Sequence, residues 1–171
     1  MQKELNLKVK FRESFRPFAP SVLNEDMNDW FDLKDPSPYM LIVANIKKEL
    51  QISMTREQEN LFGIDKLNIK RSKIPAVTHI DYTARVQTVH QETNPRYYKL
   101  IEKFKKITGC PILVNTSFNI RGEPIVCSIK DAFRCFMGTN LDILVVENFV
   151  LFKSEQTKSL INDYKNQFNL D

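Results

Sequence analysis

The sequence predicts an α/β fold, a twisted mixed β-sheet flanked by helices, and three observations carry that reading. Short apolar runs of strand length alternate along the chain with stretches of helical periodicity. Proline, glycine and asparagine punctuate the joins. Some connections are too short for the crossover that a parallel strand pair requires, so the sheet is mixed. The 171 residues suit a single domain over 1–171 with one core, and 154–171 reads as a peripheral terminal helix.

Leu5 to Phe18 alternates loosely between apolar and basic residues, and Pro17 and Pro20 exclude a helix interior, so an extended segment is expected. Ser21 has the chemistry of a helix cap, with a short helix following through Trp30 and Phe31. Asp35-Pro36-Ser37-Pro38 is a rigid turn. Tyr39 to Ile46 is apolar enough for a buried strand. Lys47 to Lys73 is polar and poorly periodic, a helix or long loop interrupting the sheet.

Arg85 to Val89 alternates as a strand does. Asn94-Pro95 opens a helix: Asn94 caps free amides, Pro95 suits the first helical position, and Tyr97, Leu100, Ile101, Phe104 and Ile107 recur on one face. Gly109 ends it, and Pro111 to Val114 is a short buried strand. Ser128 caps a further helix that turns Ala132, Cys135 and Phe136 inward and closes at Gly138. Ile143 to Val146 and Phe149 to Phe152 are the last strands, joined at Glu147-Asn148. The segment from Ser154 to Phe168 is expected to be helical.

Three clusters gather chemistry. Lys10 and Arg12, with Arg16 nearby, form a K-x-R pair that on an extended segment sets two cations on one face about 7 Å apart, a spacing that grips a phosphate or lines a solvated edge. Thr78 to Gln87 holds His79 and Asp81, then Arg85 and Gln87, as a polar row if extended. A His and a carboxylate two apart lack the third ligand of a metal site, so none is assigned. Asn115 to Pro124 packs Asn115, Ser117, Asn119 and Arg121 into a loop leaving a buried strand, where open α/β sheets bind ligands. Ser117 lacks the surroundings of a serine nucleophile, so a binding role is preferred over catalysis.

Composition excludes several classes. With 25 basic and 21 acidic residues the net charge is +4, which suits an anionic ligand and argues against a nucleic-acid footprint. Three cysteines without a C-x-x-C pair indicate neither a disulfide framework nor a thiolate zinc site. Met1 to Lys10 has no signal-peptide pattern, and no apolar run approaches the roughly 20 residues that span a bilayer, so a cytoplasmic protein without a membrane partner is expected.

Three segments in order carry a resemblance: K-F-R-E-S-F-R-P-F-A-P-S-V-L (Lys10–Leu23), I-P-A-V-T-H-I-D-Y-T-A-R-V-Q-T-V (Ile74–Val89) and P-I-L-V-N-T-S-F-N-I-R-G-E-P-I-V-C (Pro111–Cys127). They resemble the carboxyl-terminal region of the O-carbamoyltransferases, a family of nodulation-factor and antibiotic-tailoring enzymes. The resemblance implies a YrdC-like domain that makes carbamoyladenylate from carbamoyl phosphate and ATP, with Mg2+ as helper. A kinase-like amino-terminal domain or chain would be the partner that transfers the carbamoyl group. By motif, Lys10, Arg12 and Arg16 would bind phosphates, Arg85 carbamoyl phosphate or its leaving phosphate, and Asn115 and Ser117 the carbamoyl group or nucleotide phosphate. His79, Asp81, Asn119 and Arg121 are softer assignments, and Tyr82 stands where many relatives have glycine. The family's Gly-Pro-Arg-Ala-Leu-Gly segment would lie just before Met1, so the expectation is a domain without its acceptor-binding half. Two other readings stand beside this one, a non-catalytic domain docking on a partner chain and a nucleic-acid-binding module.

Overall fold

The computed structural model describes residues 1–157 and 164–168. Their contacts gather into two compact units, one from Pro17 to Thr116 and one combining Met1–Arg16 with the described residues from Ser117 onward.

The first unit is built on a five-stranded sheet of β1 (Ala19–Leu23), β2 (Phe31–Asp32), β3 (Ile42–Ile46), β4 (Thr83–Val89) and β5 (Ile112–Asn115), in the order β2-β3-β4-β1-β5. β1 runs parallel to β4, and β1–β5, β2–β3 and β3–β4 are antiparallel. The expected mixed sheet is therefore present. All five residues of β1 are buried, as a strand covered on both faces requires. The parallel ladder begins at Ser21, so Pro20, which lacks an N–H, stands outside it.

One long helix of this unit, α1 (Pro95–Thr108), starts and stops where the sequence says. Asn94 accepts the Tyr97 amide, Pro95 takes the first helical position, and Gly109 adopts a left-handed φ of 76°. Ile101 packs between Leu23 and Val89, with Tyr97, Tyr98 and Leu113 against them. Burying a side chain of that size contributes about 1.5–3 kcal/mol. The predicted apolar face is nevertheless broader than the buried one, because Leu100 and Ile107 face solvent and Ile107 is 84% exposed. Short helical turns at Arg56–Glu59 and Gly63–Leu67 fill the polar stretch before β4.

Three expectations for this unit need correction. Ser21 caps no helix: it lies inside β1, and the helical residues begin at Asn24–Asp26 and Met27–Trp30. β3 is shorter than the Tyr39–Ile46 run and is buried on one face only, through Ala44 and Ile46, as an antiparallel strand permits. His79 and Asp81 do not extend along a strand, because residues 79–82 form a turn closed by the Tyr82 amide donating to the His79 carbonyl.

The second unit opens with helical residues, Gln2–Glu4 continuing into a π-helical turn over Leu5–Val9, where an extended segment was expected. The Lys-x-Arg pair therefore does not ride on a strand; Lys10 ends that turn and Phe11 has a left-handed φ of 50°. Later in the chain, α2 (Ile129–Gly138) begins at a capping box in which Ser128 accepts the Asp131 amide and Asp131 reaches back to Ser128. Its buried face, Ala132, Phe136 and Met137, meets Leu144 with Phe118, Val126 and Leu151. Cys135 turns to Ile120 and Tyr164, with Phe11 packed alongside.

β6 (Ile143–Val146) and β7 (Phe149–Phe152) pair as a hairpin turning at Glu147, where φ is 53°. Its Val145, Phe149 and Val150 are exposed. The helix expected over 154–168 falls partly on 158–163, outside the described residues; on either side Lys153–Glu155 and Tyr164–Asn166 are 3-10 turns. Among the described residues no helix is long and apolar enough to cross a membrane.

Candidate functional site

Within the second unit a cavity of about 400 Å³ is lined by Lys10, Arg12, Arg16, Ser117, Asn119, Arg121 and Glu123, with Ile120, Gly122 and Pro124. Six residues singled out from the sequence meet there. Two loops build it. The first, Lys10 to Arg16, is organised by the fully buried Asn6, whose Nδ2 donates to the carbonyls of Ser14 and Arg16 at 3.1 and 2.8 Å and whose Oδ1 accepts Arg12 Nε at 2.7 Å. The second, Ser117 to Pro124, turns at Gly122, where φ is 77°. The Arg121 amide donates to the Lys10 carbonyl at 3.0 Å and joins the two loops.

Lys10 is only 4% exposed, and its ammonium is held by the carbonyls of Ser117 (2.8 Å) and Asn119 (2.6 Å) and by Asn119 Oδ1 (2.8 Å). An ammonium has three protons and no acceptor, so these three short bonds account for all of them, with Ser117 Oγ a more distant fourth neighbour at 3.4 Å. Burial, followed by the charge of Arg12, pulls its pKa down to about 8. Burial likewise lowers Arg12, with Arg16 adding repulsion. Ser117 Oγ donates to Asn119 Oδ1 at 2.6 Å, and Asn119 Nδ2 donates to the Glu123 carbonyl at 2.7 Å. Lys10 thus holds the loop in place and charges its floor.

Glu123 Oε2 accepts the Ile120 amide at 2.8 Å, and its Oε1 accepts the Tyr164 hydroxyl. Burial and then that carboxylate raise the Tyr164 pKa, and burial and Glu123 push the Cys135 thiol up to about 12. Glu13 bridges two of the arginines: Oε1 accepts from Arg121 Nη1 at 3.1 Å, and Oε2 lies 3.6 Å from Arg16 Nη1. Its carboxyl is held below the usual range first by its own backbone amide and then by the arginines.

The other sequence-predicted residues belong to the sheet unit. Arg85 is exposed on β4, opposite Val43. Its side chain makes no hydrogen bond or ion pair among the described residues. Asp81 Oδ1 accepts the Thr83 amide at 3.1 Å and the Thr83 hydroxyl at 2.7 Å, and the latter bond lowers its pKa. With that proton committed, Thr83 Oγ1 must accept from His79 Nδ1 at 2.9 Å, which assigns the tautomer. Tyr82, between them, has a φ of 64°, the conformation that favours glycine. Asn115 Nδ2 donates to Gln87 Oε1 at 2.6 Å, which also accepts Ser21 Oγ at 2.6 Å.

Sequence reasoning missed Asn6, Glu13, Glu123 and Tyr164. Glu13 and Glu123 lie inside the basic motifs as their only carboxylates, which was a usable signal. Asn6 and Tyr164 carry none, since their roles depend on chain folding from afar.

The chain matches the family model described as carbamoyltransferase C-terminus over residues 1–153. The chain belongs to the carbamoyltransferase family. It is 60% identical over its whole length to an uncharacterized protein of Synechocystis sp., of which it covers 28%. It is also 43% identical over 87% of its length to nodulation protein NolO of Bradyrhizobium diazoefficiens and to nodulation protein NolNO of Sinorhizobium fredii, covering 24% and 19% of those proteins. The chain spans about a quarter of the length of the curated relatives it matches. The matched segment of this carbamoyltransferase domain takes in both cavity loops and the Arg85 strand.

Proposed function

We propose that this carbamoyltransferase domain activates the carbamoyl group, binding carbamoyl phosphate and ATP and forming carbamoyladenylate for transfer to a hydroxyl acceptor elsewhere in a longer protein. The observation that carries the reading is the convergence of Lys10, Arg12, Arg16 and Arg121 on one cavity with the Ser117 hydroxyl and the Asn119 amide. Two highly charged phosphate compounds repel each other, and guanidinium forks offset that repulsion while matching phosphate oxygens in pairs. Joining carbamoyl to AMP releases phosphate and pyrophosphate with consumption of one water, and such transfers rest on positioning and charge neutralisation.

The donor set fits the phosphates of both ligands. For Mg2+ the fit is of another kind: among the described residues no group of three or more His, Cys, Asp or Glu could hold a metal. Glu123, the carboxylate in the lining, already accepts from Ile120 and Tyr164. Mg2+ would enter on the nucleotide phosphates, as is usual for this ion.

Calorimetric titration of carbamoyl phosphate and of ATP with Mg2+ into the folded chain tests the reading, with Arg12→Ala as control. Binding that Arg12→Ala loses, and pyrophosphate release when both ligands are present, is the expected result. A folded chain that binds neither ligand would sink it. A second reading, a docking domain without chemistry, draws on the exposed Val145, Phe149 and Val150 of the β6–β7 hairpin. It predicts the opposite calorimetric result together with capture of a partner domain that Phe149→Ser abolishes.

A further inference from the structure

We infer that Glu13 is a built-in competitor for the anion site, so that ligand binding at the cavity is an exchange in which the incoming anion takes over guanidinium groups this carboxylate now holds. The inference rests on the anion-binding reading above and deepens it by naming the residue that sets the affinity threshold. Glu13 stands in the same loop as Lys10, Arg12 and Arg16, and its carboxylate faces Arg16 from its own loop and Arg121 from the other. Both arginines line the cavity, whereas Glu13 itself does not.

Its hold is poorly made. One oxygen makes a hydrogen bond to Arg121 at 3.1 Å, while the other is buried, lies 3.6 Å from Arg16 Nη1 and among the described residues accepts no hydrogen bond that meets normal geometry. A buried acceptor left in that state is costly, so the contact is cheap to give up. A phosphate or pyrophosphate presents more oxygens and more charge to the same guanidiniums and can satisfy them as forks. Singly charged or weakly charged anions gain less from the exchange. With Glu13 in place the site therefore resists occupation by ambient small anions and yields to polyanions.

The test is calorimetric titration of pyrophosphate into the wild-type chain and into Glu13→Gln, which keeps the shape and removes the charge. Removing a unit charge beside the ligand is worth about 1 kcal/mol in a water-like medium, so Glu13→Gln is expected to bind pyrophosphate about five-fold more tightly. Glu13→Ser serves as a second variant, and circular dichroism confirms that each is folded. Unchanged or weaker binding by folded variants, while wild type binds, would overturn the inference and make Glu13 a clamp that orients its arginines. Pyrophosphate binding by none of the three would bring down the anion-site reading itself and this inference with it.

Discussion

The two cationic regions of this chain differ in what the fold spends on them. In the cavity unit Lys10 is buried, all its protons are committed to the 117–119 loop, and Arg12 and Arg16 are tied through Asn6 and Glu13. On the sheet Arg85 projects from β4 without a side-chain partner among the described residues, beside a turn in which Asp81, Thr83 and His79 bond to one another. The first kind of cation is a structural component as well as part of the cavity lining. The second holds no other part of the described structure in place, so its removal is expected to leave the fold intact. On the proposed function, stability and binding should be coupled at one region and separable at the other.

The strongest challenge to that contrast is Lys10→Met. Relief of the desolvated charge is offset because the Ser117 and Asn119 carbonyls then face a methyl group, and an acceptor left unsatisfied and buried costs about 1–3 kcal/mol. Net destabilisation of about 1–2 kcal/mol by urea denaturation is expected, with anion affinity lowered about a hundred-fold by calorimetry. The pH dependence adds a second check. Lys10 has a folded pKa of about 8 against an ordinary 10.5, so between these values the unfolded chain binds the extra proton. The contribution of Lys10 to stability thus rises with pH in that window. On the proposed function, ATP affinity should fall over the same window, because the ammonium charge is lost while a terminal phosphoryl, with a pKa of about 6, is already ionised. Wild type minus Lys10→Met should show both trends; matching slopes in the two proteins would remove Lys10 from the site's charge.

A variant far from any ligand group sharpens the coupling. A Cβ at Gly138 would stand 2.2 Å from Tyr164 Cγ and 2.3 Å from its Cβ, so the tyrosine must move. Tyr164 donates to Glu123, and Glu123 holds the Ile120 amide in the cavity loop. Gly138→Ala is expected to cost about 1–3 kcal/mol, as overpacking does, and to weaken anion binding several-fold. Loss of stability with unchanged binding would show that the loop does not depend on Tyr164.

Arg85→Ala is the counterpart on the sheet. Its stability should stay within about 0.5 kcal/mol of wild type, as for an exposed residue without partners. Carbamoyl phosphate affinity should fall about ten-fold, the equivalent of about 1.4 kcal/mol. A drop in the urea midpoint comparable to that of Lys10→Met would erase the distinction between the two regions.

What the sequence discloses follows the same division. Signals that act within a few residues were legible: the Asn94 and Ser128 caps, the stop at Gly109, the hairpin turn at Glu147-Asn148 and the mixed sheet all stand where pattern and turn chemistry put them. Lys10, Arg12, Arg16, Ser117, Asn119 and Arg121 were legible as candidates, and they meet at one cavity. Their geometry was not, because left-handed backbone at Phe11 replaces the expected strand and no local pattern forces a phenylalanine there. The one-sided burial of β3 was also hidden, since an apolar run does not say which of its faces a neighbour covers. Ser21 shows the cost of reading a hydroxyl as a cap when long-range pairing with Gln87 decides its place.

The smallest effect is expected at Tyr82, a non-glycine residue with left-handed backbone in the sheet unit. Its φ of 64° costs a non-glycine residue about 1–2 kcal/mol, which glycine would relieve. Glycine also restores freedom to the unfolded chain at about 0.4–1 kcal/mol and forfeits the Tyr82 hydroxyl's 3.3 Å bond to the Ile52 carbonyl. These terms nearly cancel, so Tyr82→Gly should shift stability by no more than about 0.5 kcal/mol. Glycine would enter the same backbone conformation that tyrosine already adopts. A stabilisation well beyond 1 kcal/mol on urea denaturation would instead mean that the 79–83 turn stores strain, and that its polar bonds, unlike those of the cavity, are maintained against the backbone.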